Sequence, residues 1–203
     1  MIQIYHAPLT RSLRVIWLCE ELSLPYEVVP VDFSPRYRAT PEWRAMNPVG
    51  KVPVLIDAGQ KIFESGAMLE MLQDRYAPDA LRPQPGSQPH AEYLQWCWFA
   101  EATFARPVGE MVNHHREFDP PIDAVLAELR ARVQVCVDAL NDHLAERDFL
   151  LGDAFTAADI MTGYTLMLSE RFAGVEFGEH AARYWQALKT RPAYQRAIEA
   201  PAG

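Results

Sequence analysis

Pro78-Asp79-Ala80-Leu81-Arg82-Pro83-Gln84-Pro85-Gly86-Ser87-Gln88-Pro89 is the stretch that divides this sequence. Four prolines and a glycine within twelve residues remove backbone donors and fix φ too often for a regular element to persist. Residues 78–89 therefore read as a linker, and the patterning differs on its two sides. Before it, short strand-like and helix-like segments alternate. After it, apolar residues recur only at helical steps.

On the N-terminal side, Ile2, Ile4 and Tyr5 open a strand, Tyr26 to Val31 predicts a second, and Val54–Ile56 with Lys61–Phe63 predicts a hairpin around Asp57, Ala58 and Gly59. Leu13 to Leu22 predicts a broadly apolar helix, and Ala67 to Tyr76 predicts another that stops before Pro78. The order is β-α-β and then β-β-α over residues 1–77. On the C-terminal side, Ile122, Val125, Leu126, Leu129, Val133, Val137, Leu140 and Leu144 predict one long amphipathic helix, with Asp119 as N-cap and Pro120 in the first turn. His90 to about Met111 predicts a second helix, Thr156 to Phe172 a third, and the tail from Glu179 one or two more. The fold class is thus α/β followed by all-α, with an all-helical domain over residues 90–203. At Phe155-Thr156-Ala157-Ala158-Asp159-Ile160, Thr156 and Asp159 have capping-box spacing and Phe155 can staple onto Ile160, a device for folding rather than chemistry.

Composition narrows the function. A chain of 203 residues, 49% hydrophobic and 23% charged, is not a disordered one and can form one large domain or two small ones. Nineteen basic residues against 27 acidic give a net charge of -8, and the basic residues are scattered among acidic neighbours, as in Asp142 to Asp148. Polyphosphate backbones need clustered Lys and Arg, so no nucleic-acid partner is expected. No run approaches the roughly 18 apolar residues of a membrane helix. Met1 to Tyr5 lacks the basic flank of a signal peptide, so the expected location is cytoplasmic, with no membrane partner. Cys19, Cys97 and Cys136 form no Cys-x-x-Cys pair and read as buried thiols. Adjacent His114 and His115 cannot share a helix face and lack a third ligand, so no metal is expected.

Several motifs fall in order along this framework. Ile4-Tyr5-His6-Ala7-Pro8 leads into Arg11-Ser12-Leu13-Arg14-Val15-Ile16-Trp17-Leu18-Cys19-Glu20-Glu21-Leu22. Asn47-Pro48-Val49-Gly50-Lys51-Val52-Pro53-Val54-Leu55 and Phe63-Glu64-Ser65-Gly66-Ala67-Met68-Leu69 follow, then the Thr156/Asp159 box and Arg191-Pro192-Ala193-Tyr194. Together they resemble the cytosolic glutathione S-transferase family over nearly the whole chain. The resemblance implies a thioredoxin-like N-terminal domain, an all-helical C-terminal domain, a homodimer, and a transferase that uses glutathione as co-substrate against a hydrophobic electrophile in detoxification chemistry.

Glutathione is a γ-Glu-Cys-Gly tripeptide, and the resemblance supplies a candidate for each part. Ser65 opens a helix whose free amides and positive dipole end favour the γ-Glu carboxylate, and Glu64 beside it would hold the ammonium group. On local sequence alone, Ser65 is an ordinary N-cap and Glu64 a solvated charge. Val52-Pro53 would be the docking edge for the cysteinyl backbone if its peptide bond is cis, and Lys51 would meet the glycyl carboxylate. The thiol, with a reference pKa near 8.5, must be held as thiolate to act as nucleophile. Thr10 and Ser12 are the hydroxyls at the start of the first helix; the family's spacing favours Thr10, with Ser12 in reserve and helix capping as the alternative reading of both. Arg11 and Arg14 would add positive potential, Arg11 being preferred, with arginines solvated or salt-bridged to Glu20 or Glu21 as the alternative reading. Tyr5 is a further hydroxyl, though a strand tyrosine packed in a core reads better. No cysteine lies between His6 and Arg14, which excludes a mixed-disulfide nucleophile there. Phe104, Met111 and His115 are candidates for the hydrophobic substrate pocket, at spacings a helix core also uses. A glutathione-dependent isomerase, dehalogenase or ether-cleaving enzyme of the same fold stays open, as does a non-catalytic glutathione-binding regulatory module.

Overall fold

The structure, a computed structural model, describes residues 1–201. In chain order its first elements are β1 (Ile2–His6), α1 (Ser12–Glu21), β2 (Tyr26–Pro30), α2 (Pro35–Arg38), α3 (Pro41–Met46), β3 (Val54–Asp57), β4 (Gln60–Phe63) and α4 (Ser65–Tyr76). There follow α5 (Gln88–Trp98), a π-helical turn (Phe99–Phe104), α6 (Ala105–Glu117), α7 (Asp123–His143), α8 (Ala157–Phe172), α9 (Glu179–Lys189) and α10 (Pro192–Ile198). Contacts group these into two compact units. Met1–Ala80 with the segment from Thr190 forms one, and Leu81–Lys189 the other.

The first unit is built on a mixed four-stranded sheet in the order β2-β1-β3-β4. Strand β1 runs parallel to β2 and antiparallel to β3, which closes a hairpin with β4. As the sequence alternation requires, Ile2, Ile4 and His6 share the buried face of β1. Every residue of α1 from Ser12 to Cys19 is buried. Such all-round burial suits a helix enclosed by β1, α4 and α10. Tyr194 of α10 sets its ring edge-on to Trp17, with centroids 4.8 Å apart, an arrangement that contributes about 1 kcal/mol beyond the buried area. Arg191 forks onto Glu21 at 2.6 and 2.8 Å, and Arg196 pairs with Glu20. These contacts place the last helix with the first unit, whereas the sequence groups it with the helical domain.

Two short helices, α2 and α3, are absent from the sequence expectation. Each begins with a hydroxyl cap and a proline: Ser34 accepts from the Tyr37 amide at 3.2 Å and Thr40 from the Trp43 amide at 3.3 Å. Helix α3 delivers Trp43 into a small core with Ala7, Val31, Val52 and Val54, and Tyr5 packs against it.

In the second unit α8 is the central helix, buried without a break from Ala157 to Leu166. Its capping box forms as expected, the Thr156 amide donating to Asp159 at 2.7 Å. The helix expected from His90 to Met111 starts earlier, capped by Ser87, and runs on to Glu117 through the π turn. Asp119 does not cap α7. Pro121 disfavours a helical conformation at Pro120, so the helix starts only at Asp123, and His114 Nε2 accepts from the Ile122 amide at 2.8 Å. Among the described residues, no helix is long and apolar enough to cross a membrane.

Candidate functional site

The site grows from the C-terminal end of β1. His6 closes the strand, residues 7–11 turn the chain, and α1 begins at Ser12. Thr10 and Ser12 project from this turn with their hydroxyl oxygens 2.7 Å apart. Thr10 Oγ1 donates to the Ala7 carbonyl at 2.7 Å, and His6 Nδ1 lies 2.7 Å from Ser12 Oγ. Ser12 has no exposed surface, while Thr10 keeps some. Neither side chain caps α1, whose cap position is Arg11 and has no side-chain cap bond. Burial pushes the His6 pKa below its ordinary value.

The second part of the site is the start of α4. Ser65 is its first residue and is buried, and its Oγ accepts from Arg14 Nη1 at 3.3 Å. Arg14 is itself fully buried in α1, two residues beyond Ser12. The start of α1 and the start of α4 are thereby tied together, so two helix N-termini, each with hydroxyls and free amides, belong to one side-chain network. Leu9 and Glu64 have positive φ, 60° and 77°, and each immediately precedes one of the three hydroxyl residues, Thr10 and Ser65 respectively. A non-glycine residue held there costs on the order of 1–3 kcal/mol, and such strain clusters where a chain is shaped for a ligand.

The third part is the loop before β3. Asn47 organises it: its amide donates to the Lys51 carbonyl at 2.9 Å and its Oδ1 accepts from the Val49 amide at 3.0 Å. Arg44 donates to the Pro48 carbonyl at 2.8 Å. Gly50 has φ +64°, and a Cβ there would lie 2.8 Å from the Arg38 carbonyl oxygen, so this close approach requires glycine. The loop ends in a cis Val52-Pro53 bond, with Lys51 exposed and both Val52 and Pro53 buried.

All of Thr10, Arg11, Ser12, Lys51, Val52, Pro53, Glu64 and Ser65 lie in the first unit. Glu64 is exposed, and Arg11 is half-buried at the head of α1. Tyr5 leans on Trp43, with ring centroids 6.0 Å apart, as the core reading expects. In the second unit, Phe104 and Met111 have no exposed surface and are part of the packed interior of the helices. His115 is exposed on α6. Among the described residues, no group of three or more His, Cys, Asp or Glu side chains is arranged to hold a metal ion. His6, at a buried strand position, is absent from the site residues expected from the sequence. Arg14, read there as adding positive potential or as a solvated or salt-bridged helix arginine, is instead buried and bonded to Ser65.

Comparison with known proteins gives consistent results. Residues 2–74 match the model of the glutathione S-transferase N-terminal domain, and residues 123–198 match that of the glutathione S-transferase C-terminal domain. Glutathione S-transferase 3 of Zea mays is 28% identical over 98% of this chain and 94% of its own length. Glutathione S-transferase 1 of Schizosaccharomyces pombe is 31% identical over 76% of this chain and 69% of its own. Among solved structures, a glutathione transferase of Phanerochaete chrysosporium with oxidized glutathione superposes with a TM-score of 0.88, at 25% identity over 98% of this chain and 93% of that one.

Proposed function

The chain belongs to the glutathione S-transferase family, and on that premise we propose that its first unit binds glutathione and that Thr10 stabilises the thiolate for attack on a hydrophobic electrophile. The observation that carries this reading is the pair of linked helix starts. Ser65, with the α4 amides, suits the γ-Glu carboxylate, because free N–H groups and the dipole both favour an anion. Glu64 stands beside it for the ammonium group. The backbone of Val52 serves as docking edge, and Lys51 answers the glycyl carboxylate.

Thr10 has the stronger claim to the sulfur. Both hydroxyls are hydrogen-bonded, but Thr10 retains accessible surface at the head of α1, whereas Ser12 has none. A hydroxyl donating to sulfur stabilises the anion over the thiol, and the dipole of α1 acts in the same direction. Arg11 adds positive charge at the same helix end. For the acceptor, exposed His115 remains a contact, while Phe104 and Met111 support the helices from within. A homodimer in the cytoplasm completes the proposal.

Conjugation assays with a panel of electrophiles test it. Thr10→Ala should lower turnover roughly a hundredfold, the usual cost of one donor to a reacting anion, with glutathione affinity within about threefold of the parent. Unchanged turnover would remove Thr10 from the chemistry. Glutathione binding with no conjugation of any electrophile would instead favour a binding module.

A further inference from the structure

The hydrogen-bond chain behind Thr10 has a direction that donor accounting fixes. It contains three short contacts: Thr10 Oγ1 to the Ala7 carbonyl, Thr10 Oγ1 to Ser12 Oγ, and Ser12 Oγ to His6 Nδ1, each 2.7 Å. A long one, Ser12 Oγ to the same Ala7 carbonyl at 3.4 Å, is too weak to claim the Ser12 proton from a 2.7 Å contact. Each short contact needs one proton. A carbonyl cannot donate, so the short contact with Ala7 uses the single hydroxyl proton of Thr10. The contact between the hydroxyls must then use the proton of Ser12. Ser12 has none left for the imidazole, so His6 Nδ1 must carry a hydrogen and donate it. Any other arrangement leaves two lone pairs facing each other at 2.7 Å.

Resting on the reading of the site given above, we infer that His6 is a positioning residue for thiol activation, holding Nδ1–H toward Ser12 so that Ser12 donates to Thr10 and the Thr10 hydroxyl, on swinging away from the Ala7 carbonyl, gives its one proton to the sulfur. His6 touches neither substrate nor thiol. Its buried place on β1, next to residues 7–11, holds the ring against Ser12. Each donor in such a chain polarises the next, which makes the terminal hydroxyl a better donor to an anion. The neutral ring serves this role in its Nδ1–H tautomer, and burial, which disfavours imidazolium, is consistent with that form. The arrangement also separates the two hydroxyls that the sequence leaves as alternatives: Thr10 faces the ligand and Ser12 passes the polarisation on.

Two measurements test this. Nitrogen-15 NMR of the unliganded protein should show the His6 ring with hydrogen on Nδ1; a neutral ring with hydrogen only on Nε2 would overturn the inference without any mutation. The second measurement follows thiolate absorbance of bound glutathione against pH in His6→Ala and His6→Asn. Asparagine places an amide donor near the position of Nδ1. His6→Ala should leave about fivefold less thiolate in the complex at pH values below the bound thiol pKa, the cost of one net hydrogen bond, with affinity for S-methylglutathione unchanged. His6→Asn should recover most of that loss. A thiolate fraction equal to the parent in His6→Ala overturns the inference, as does an equal loss in the two variants. If His6→Ala does not fold, the tautomer and His6→Asn decide. If the parent protein itself binds glutathione without promoting the thiolate, the functional reading fails rather than the role of His6, because the ring tautomer is read without ligand.

Discussion

Asp159→Ala should destabilise the protein by about 4 kcal/mol. The carboxylate has no exposed surface and accepts four hydrogen bonds: the Leu150 amide at 3.0 Å, the Thr156 amide at 2.7 Å, Thr156 Oγ1 at 3.0 Å and Tyr184 Oη at 2.8 Å. Burial pushes this carboxyl above its usual range, while the two amides, Tyr184 and Thr156 pull it back. Alanine leaves two amides and a phenol buried without an acceptor; the Thr156 hydroxyl can rotate. Each orphan costs on the order of 1–3 kcal/mol. Relief of the desolvated carboxylate offsets part of that sum, which leaves about 4 kcal/mol, comparable to removing one member of a buried pair. Two controls set the order. Asp159→Asn keeps one oxygen acceptor and should cost roughly half as much. Tyr184→Phe removes one donor and orphans none, so it should cost about 1 kcal/mol. Urea unfolding followed by circular dichroism, with thermal melting alongside, measures all three; at this chain length 4 kcal/mol corresponds to a Tm lower by about 10 °C. A loss below about 1 kcal/mol for Asp159→Ala, or an equal loss for Tyr184→Phe, would refute the reasoning.

Three further perturbations probe other parts of the structure. Glu64→Gly relieves a positive φ of 77° and should raise stability by about 1 kcal/mol while weakening glutathione binding about fivefold; calorimetry and urea unfolding of the same variant read both, and unaltered affinity would exclude Glu64 from the site. Cys19, its thiol pushed up to about 12 by burial with Glu20 and Asp57 nearby, and Cys136, raised by burial, should stay protonated at pH 8 and resist iodoacetamide until urea unfolds the chain, as mass spectrometry of the labelled peptides can show. Tyr194→Ala empties the edge-on contact with Trp17 and should cost about 3 kcal/mol, with loss of hydrogen-exchange protection in α1 if α10 belongs to the first unit.

The sequence carries the fold wherever a local rule and the tertiary outcome agree. Periodicity locates β1, α1, α4, α7 and α8, and the Thr156/Asp159 spacing marks the start of α8 because a capping box is complete within four residues. Long-range partners are less visible. Nothing near Arg191 or Tyr194 announces that their partners are Glu21 and Trp17, some 170 residues earlier, so the packing of α10 on α1 is not legible in the sequence. Asp119 fails as a cap because Pro121 controls the backbone before it, a case of one local signal overriding another. In the site, Thr10, Ser12 and Ser65 are legible as hydroxyls at helix starts. His6 is not, since a buried polar residue is recognised only once its partner, here Ser12, is known; Arg14 is legible as a helix arginine near the site, but not its burial or its bond to Ser65. Phe104 and Met111 illustrate the converse, as helix periodicity cannot tell a pocket lining from a core.

Activation of glutathione by Thr10 is tested most directly by the protons released on binding. Calorimetric titration with glutathione at pH 7, repeated in buffers of different ionisation enthalpy, counts them. The parent protein should release a substantial fraction of a proton per glutathione bound, and Thr10→Ala should bind with similar affinity while releasing almost none. Absence of binding, or equal proton release from the two proteins, would contradict the assignment.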